Sequence, residues 1–214
     1  MIPLILKLKK QMHKEIALCQ DMIIKDLYNV FNKAVLHGGT AIWRCYDGNR
    51  FSEDIDIYIP KDLDKIDLLF KNFKKIGFKI EKKKITESAL FSNLSLNKCI
   101  VRLEAIFKKN KGVLKDYKTS DGNIITIYSL NPEELIKEKA RAYLKRFKIR
   151  DLYDIFFLLK HVKNKKIILN DLNKLIKEFK KPVDEGELKI LIIEGVIPNV
   201  SEILEYIKWE SKNT

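Results

Sequence analysis

Between residues 11 and 31, apolar side chains fall at Ile16, Cys19, Ile23, Leu27 and Phe31, a three-to-four spacing that predicts one amphipathic helix laid against a core. The period then changes. Residues 34–36 read as a short strand running into Gly38-Gly39, and Thr40 opens a helix. From Ile55 to Ile59 apolar residues alternate with Asp56 and Tyr58, the two-residue period of a half-buried strand. Pro60 closes that strand. A helix over 62–75 and strands near 77–85, 89–96, 99–107 and 123–128 follow, with turns at Lys111-Gly112 and Asp121-Gly122. At 129–134 the pattern shifts: Asn131 caps, Pro132 suits the first helical position, and Glu134 completes a capping-box pattern. Beyond it the segments read as helical, an apolar one at 151–162 and others at 167–179, 186–196 and 199–209. Trp43 reads as a packing residue, and Tyr206 and Trp209 as core anchors of the last helix, with base-stacking platforms as their other reading. No internal repeat or low-complexity linker interrupts the chain. The elements predict an α/β (α+β) protein, with a core of residues 1–130 built on a mixed sheet flanked by helices and a C-terminal helical lobe of residues 131–214.

The candidate chemistry lies in residues 37–60, HGGTAIWRCYDGNRFSEDIDIYIP. On a strand, Asp54 and Asp56 share one face, about 6.6 Å apart along the backbone, while Ile55, Ile57 and Ile59 point into a core. Two such carboxylates repel each other unless a cation sits with them. Mg²⁺ prefers a few carboxylates, waters and substrate phosphates, so the pair fits a nucleotide-dependent phosphoryl or nucleotidyl transferase. Upstream, Gly38 and Gly39 permit a tight turn and a close approach of backbone N–H groups to a phosphate, and the start of the following helix aims further N–H groups at an anion. The Thr40 hydroxyl is placed to add a hydrogen bond. His37, just before the glycines, reads as a packing or surface residue, with contact to substrate as its other reading.

Composition narrows the picture less. The 214 residues are 46% hydrophobic, ample for a sizeable core, and 42 basic against 29 acidic residues leave a net charge of +13. That balance suits a polyanion, although a chain this rich in Ile, Lys and Asn also fits a lysine-biased genome. The basic residues cluster at 71–84, 108–118 and 137–150, where they could follow an RNA backbone or form solvated faces. Lys82 to Lys84 also suit the protection of a strand edge. Three cysteines without Cys-x-x-Cys spacing indicate neither a disulfide framework nor a zinc site and fit a reducing cytoplasm. No run approaches the roughly 18 apolar residues of a membrane helix. The first ten residues have too short an apolar part, with lysines on the wrong side, for a secretory signal.

The segment HGGTAIWRCYDGNRFSEDIDIYI resembles the opening motif of the AbiEii/AbiGii-type nucleotidyltransferases, the toxin family of type IV toxin–antitoxin systems, and of the wider polymerase-β-type superfamily. EKARAYLKRFKIRDLYDIFFLL resembles the family's later signature, with Lys139, Arg146, Arg150, Asp151 and Asp154 on its positions. The resemblance spans residues 15–160. It implies a polymerase-β-type nucleotidyltransferase core with its active site in the cleft between core and lobe. Asp54, Asp56 and a third carboxylate, Glu104 in CIVRLEAIF, would hold Mg²⁺ (or Mn²⁺) in a two-metal site. Glu104 has a second reading, as ion-pair partner of Arg102. Gly38, Gly39, Thr40, Arg50, Ser52, Lys139 and Arg150 would bind the nucleoside triphosphate, and Asp154 or Asp151 would complete the active site from the helical half. On an unbroken helix Lys139, Arg146, Arg150 and Asp154 would share an arc of about 80°, but the family tends to break the helix before the Arg-Asp pair. Arg150 and Asp154 also read as an ordinary i, i+4 ion pair.

The activity implied is nucleotide transfer from an NTP to an RNA acceptor, with the 3′ end of tRNA favoured, by a toxin held in check by a separately encoded antitoxin. Two other readings stay open. One is nucleotidylation of a partner protein, as in related antitoxin-type transferases that are smaller and carry Gly-Ser in place of Gly-Gly-Thr. The other is a catalytically idle nucleic-acid- or partner-binding module, against which the paired acids argue, since RNA binding has no need of them.

Overall fold

The computed structural model describes residues 3–213. A short helix α1 (Leu4–Lys7) and the long α2 (Gln11–Val30) precede β1 (Val35–His37), α3 (Gly38–Cys45), β2 (Ile55–Ile59) and α4 (Leu63–Lys75). Five strands follow: β3 (Lys79–Ile85), β4 (Ala89–Leu96), β5 (Cys99–Phe107), β6 (Val113–Lys118) and β7 (Ile124–Ser129). All seven strands join one mixed sheet in the order β3-β4-β5-β2-β1-β7-β6, as expected of the fold class. The pairs β2/β5 and β1/β7 are parallel and the others antiparallel. Alternation on β2 places Ile55, Ile57 and Ile59 in the core, at most 1% exposed. The α2 stripe, with Ile16, Cys19, Ile23, Ile24 and Leu27 buried, packs on β5 and on α4. Asp62 caps α4 by accepting from Lys65 N, and that helix buries Ile66, Leu69, Phe70 and Phe73.

Strand β6 was not foreseen. Its sequence, VLKDYK, buries one side chain, Tyr117, because it is an edge strand, and edge strands carry charge where central ones carry apolar residues. At the other edge stands β3, whose lysines read the same way.

The chain divides into two compact units. One comprises the residues through Cys45 and Phe51–Leu130; the other comprises Tyr46–Arg50 with everything from Asn131 onward. The second unit holds α5 (Pro132–Arg146), α6 (Ile149–Leu159), α7 (Leu169–Lys177), α8 (Leu188–Leu191) and α9 (Val200–Lys212), with single 3-10 turns at Lys165–Ile167 and Glu185–Glu187. Asn131 caps α5 from its side chain to Glu134 N, with Pro132 in the first turn. The segment Tyr46–Arg50 was expected to lie with the first half. It is held instead by the second unit, through a hydrogen bond from Ile193 N to Asn49 O (2.8 Å), an antiparallel bridge between Arg50 and Ile192, and an edge contact of Tyr46 with His161.

Two further expectations are corrected, and one is met. The helix over 186–196 shrinks to the 3-10 turn and α8, because Ile192 turns extended to meet Arg50 and Gly195 takes a positive φ of 94°. Trp209 is no core anchor: α9 buries Val200, Ile203, Ile207 and Glu210, and Trp209 lies off that stripe, 57% exposed and stacked on Tyr206. The helix bearing the later signature does break. Phe147, in the left-handed region at φ 50°, ends α5 and separates Lys139 and Arg146 from Arg150 and Asp154 on α6. The three cysteines are free, and no helix among the described residues is long and apolar enough to cross a membrane.

Candidate active site

Strand register brings the first-unit acids together. Asp56 pairs with His37 on one side and with Glu104 on the other, so the three side chains lie in one row across β1, β2 and β5. One step down the strands, Arg102 lies on the same face as Glu104. Its guanidinium reaches both Asp54 Oδ2 (2.6 Å) and Glu104 Oε1 (3.2 Å). Both readings of Glu104 therefore have a basis: it stands beside Asp56, and it is an ion-pair partner of Arg102. Burial pushes the Glu104 carboxyl above the usual range; Arg102 pulls it down, while the charges of Asp56 and Asp54 push it further up. These carboxylates form a mutually repelling cluster that requires a cation, and Arg102 supplies one. His37 is buried, its ring stacked on Tyr58 at 4.0 Å.

The glycine turn abuts this cluster. Gly38 takes φ 69°, and a Cβ on it would overlap the Oδ2 of Asp56. Backbone and carboxylate thus meet at a spacing that only glycine allows. Gly38→Ala should lower the thermal midpoint by a few degrees through left-handed strain of about 1–2 kcal/mol, and lower activity far more by displacing Asp56; thermal unfolding and steady-state kinetics on the same preparation separate the two effects.

The entry to β2 is held from behind by residues the motif did not point to. Gln20 on α2 donates its amide to the carbonyls of Ser52 (2.9 Å) and Glu53 (3.0 Å), and the fully buried Arg44 on α3 donates to Gln20 Oε1 (3.3 Å). Thr40 is fully buried and its hydroxyl donates to the Asp54 carbonyl. It therefore shapes the approach to Asp54. Ser52 is 9% exposed.

The second unit holds a buried ion network. Asp154, 1% exposed, accepts from Arg50 Nε and the Arg50 terminal nitrogen, both at 2.8 Å, and from Lys139 Nζ at 2.7 Å. Lys139 also faces Asp151 at 3.6 Å, and Asp151 takes a two-pronged contact from Arg146 at 2.7 and 2.8 Å. Burial by itself would raise the Asp154 carboxyl, but Arg50 and Lys139 outweigh it and hold it below the ordinary carboxylate range. The guanidinium on Asp154 comes from far upstream; Arg150, in the first turn of α6, is half-buried.

Residues 25–194 match the family described as "Nucleotidyl transferase AbiEii toxin, Type IV TA system". The chain belongs to this family. As an AbiEii-family protein it is a nucleotidyltransferase of a toxin family. The fold agrees with two solved structures. JHP933 from Helicobacter pylori superposes with a TM-score of 0.63 at 21% identity, covering 96% of this chain and 92% of its own. The nucleotidyltransferase toxin MenT4 from Mycobacterium tuberculosis H37Rv superposes with a TM-score of 0.64 at 15% identity, covering 94% and 82%. No curated protein sequence matches significantly.

Asp54, Asp56 and Glu104 offer the all-oxygen, carboxylate donor set that a hard divalent cation takes. Among the described residues no three such side chains are gathered tightly enough to hold an ion, and Arg102 engages two of them. The donor chemistry and the glycine turn against Asp56 fit a metal-bound nucleotide, with Arg102 as the charge that a divalent ion would have to compete with.

Proposed function

We propose that this AbiEii-family enzyme is a Mg²⁺-dependent nucleotidyltransferase that moves a nucleotide from an NTP to an RNA acceptor, the 3′ end of tRNA being the favoured one, in the cytoplasm and under the restraint of a cognate antitoxin. The observation that carries this reading is the Gly38 turn packed without room for a Cβ against Asp56, in register with Glu104. Asp54, Asp56 and Glu104 are the residues that would hold the metal, which supplies neutralisation of the triphosphate and of the developing alkoxide. The first turn of α3, opened by Gly38 and Gly39, offers its N–H groups to the phosphates. The acceptor hydroxyl oxygen bonds to the α-phosphorus, its proton passes to a carboxylate of the Asp56–Glu104 pair, and pyrophosphate departs with the electrons of the broken bond. Lys139 is assigned to phosphate binding on the strength of the family signature; Asp154 and Arg50 then act through it by fixing its position.

The net charge of +13 supports an RNA acceptor. The test is transfer of label from each α-³²P nucleoside triphosphate, with Mg²⁺, onto total tRNA and onto protein extract. Label on tRNA is the expected result. Label on protein alone would replace the RNA acceptor with a partner protein.

A further inference from the structure

The sheet face that carries the acids continues, uncovered, across the β3-β4-β5 wing. On β5 the buried residues are Cys99, Val101, Leu103 and Ala105, on the side where Cys99 meets Cys19 of α2. Ile100, Arg102, Glu104 and Ile106 therefore take the opposite side, with Ile100 57% and Ile106 40% exposed. On β4, Phe91 pairs with Glu104 and is 37% exposed; on β3, Lys84 pairs with Phe91 and Lys82 with Asn93. Lys83 lies on the other side, its Nζ 4.5 Å from the Phe70 ring of α4 and 2.7 Å from Asp67, so its neighbours Lys82 and Lys84 belong to the open face. Lys84, Phe91, Glu104 and Asp56 thus form one row spanning four strands, about 14 Å at about 4.8 Å per strand.

We propose that this wing is the bed for the single-stranded end of the acceptor RNA, with a base stacked on Phe91 and phosphates met by Lys82 and Lys84. The inference rests on the RNA reading above and adds to it where the acceptor lies. An aromatic face accepts any base, flanking lysines neutralise the backbone, and the row ends at the carboxylates where a terminal hydroxyl is needed. The exposed Ile100 and Ile106 provide apolar ground beside it. The charge pattern suits a polyanion better than a protein strand, which exposed lysines on β3 would discourage from pairing.

The experiment is fluorescence anisotropy of a short labelled single-stranded RNA ending in CCA, titrated with the full chain over a range of salt. Phe91→Ala should weaken binding about tenfold and Phe91→Trp should preserve it. Lys82→Glu with Lys84→Glu should lower affinity and flatten the slope of log affinity against log salt by about 1.4. Lys71→Glu with Lys74→Glu, the same charge change on α4 across the sheet, should leave that slope unchanged. Equal binding by wild type and Phe91→Ala, or equal loss in both lysine pairs, would overturn the proposal. So would loss of label transfer to a protein acceptor at unchanged RNA affinity. Binding needs no turnover: transfer to tRNA with indifferent wing variants refutes the bed and keeps the function, while wing-dependent binding without transfer to any RNA does the reverse.

Discussion

Replacing Asp56 with alanine lowers nucleotidyl transfer by about 10³-fold or more while leaving the unfolding free energy within about 1 kcal/mol of wild type. The size follows from what is removed: an anchor for the charge that stabilises the transferring phosphate contributes several kcal/mol in the transition state, and about 4 kcal/mol is three orders of magnitude. The small effect on stability follows from position. Asp56 stands on the half-exposed face of β2, in a group of like charges, so its removal relieves repulsion with Glu104 as much as it loses contacts. Rates measured with saturating NTP and Mg²⁺, beside urea unfolding of both proteins, check both halves. A variant keeping a tenth of wild-type activity would remove Asp56 from the metal site.

The second large effect is on stability. Asp154→Asn leaves Arg50 and Lys139 buried with their shared counter-charge gone, and breaking a buried pair in this way costs about 3–5 kcal/mol. Its pH dependence has a definite sign. The native carboxyl lies below its unfolded value of about 3.9, so its contribution is complete above that pH and is lost as pH falls through the native value. The gap in unfolding free energy between wild type and Asp154→Asn should therefore be constant near neutrality and close below about pH 4. A gap under about 1 kcal/mol at pH 7 would show that the network is solvated and not a buried lattice.

How far these features could be read in advance depended on the range of the physics involved. Alternation alone placed Asp54 and Asp56 on one face and the three isoleucines in the core, because a strand's period is local. The same period applied to CIVRLEAIF puts Arg102 beside Glu104, so the bridging guanidinium was within reach of the reasoning. Gln20 was readable only as a polar residue inside an apolar stripe; that its amide supports Ser52 and Glu53 depends on how α2 packs. The Arg50–Asp154 pair, 104 residues apart, has no local signature, and the nearer Arg150 offered a plausible but different partner. Strand β6 was missed because an edge position lets charge mask a strand's pattern, and Trp209 because a large aromatic residue near a helix stripe looks buried when it lies just outside it.

The excursion of Tyr46–Arg50 into the second unit means that the two units cannot be parted by one cut. A fragment ending at Leu130 would carry away Arg50, and a fragment beginning at Asn131 would keep Asp154 and Lys139 with one cation fewer. Inheritance meets the same constraint. A recombination that exchanges the helical half between relatives brings a compatible Asp154 only if residues 46–50, encoded far upstream, travel with it or already match.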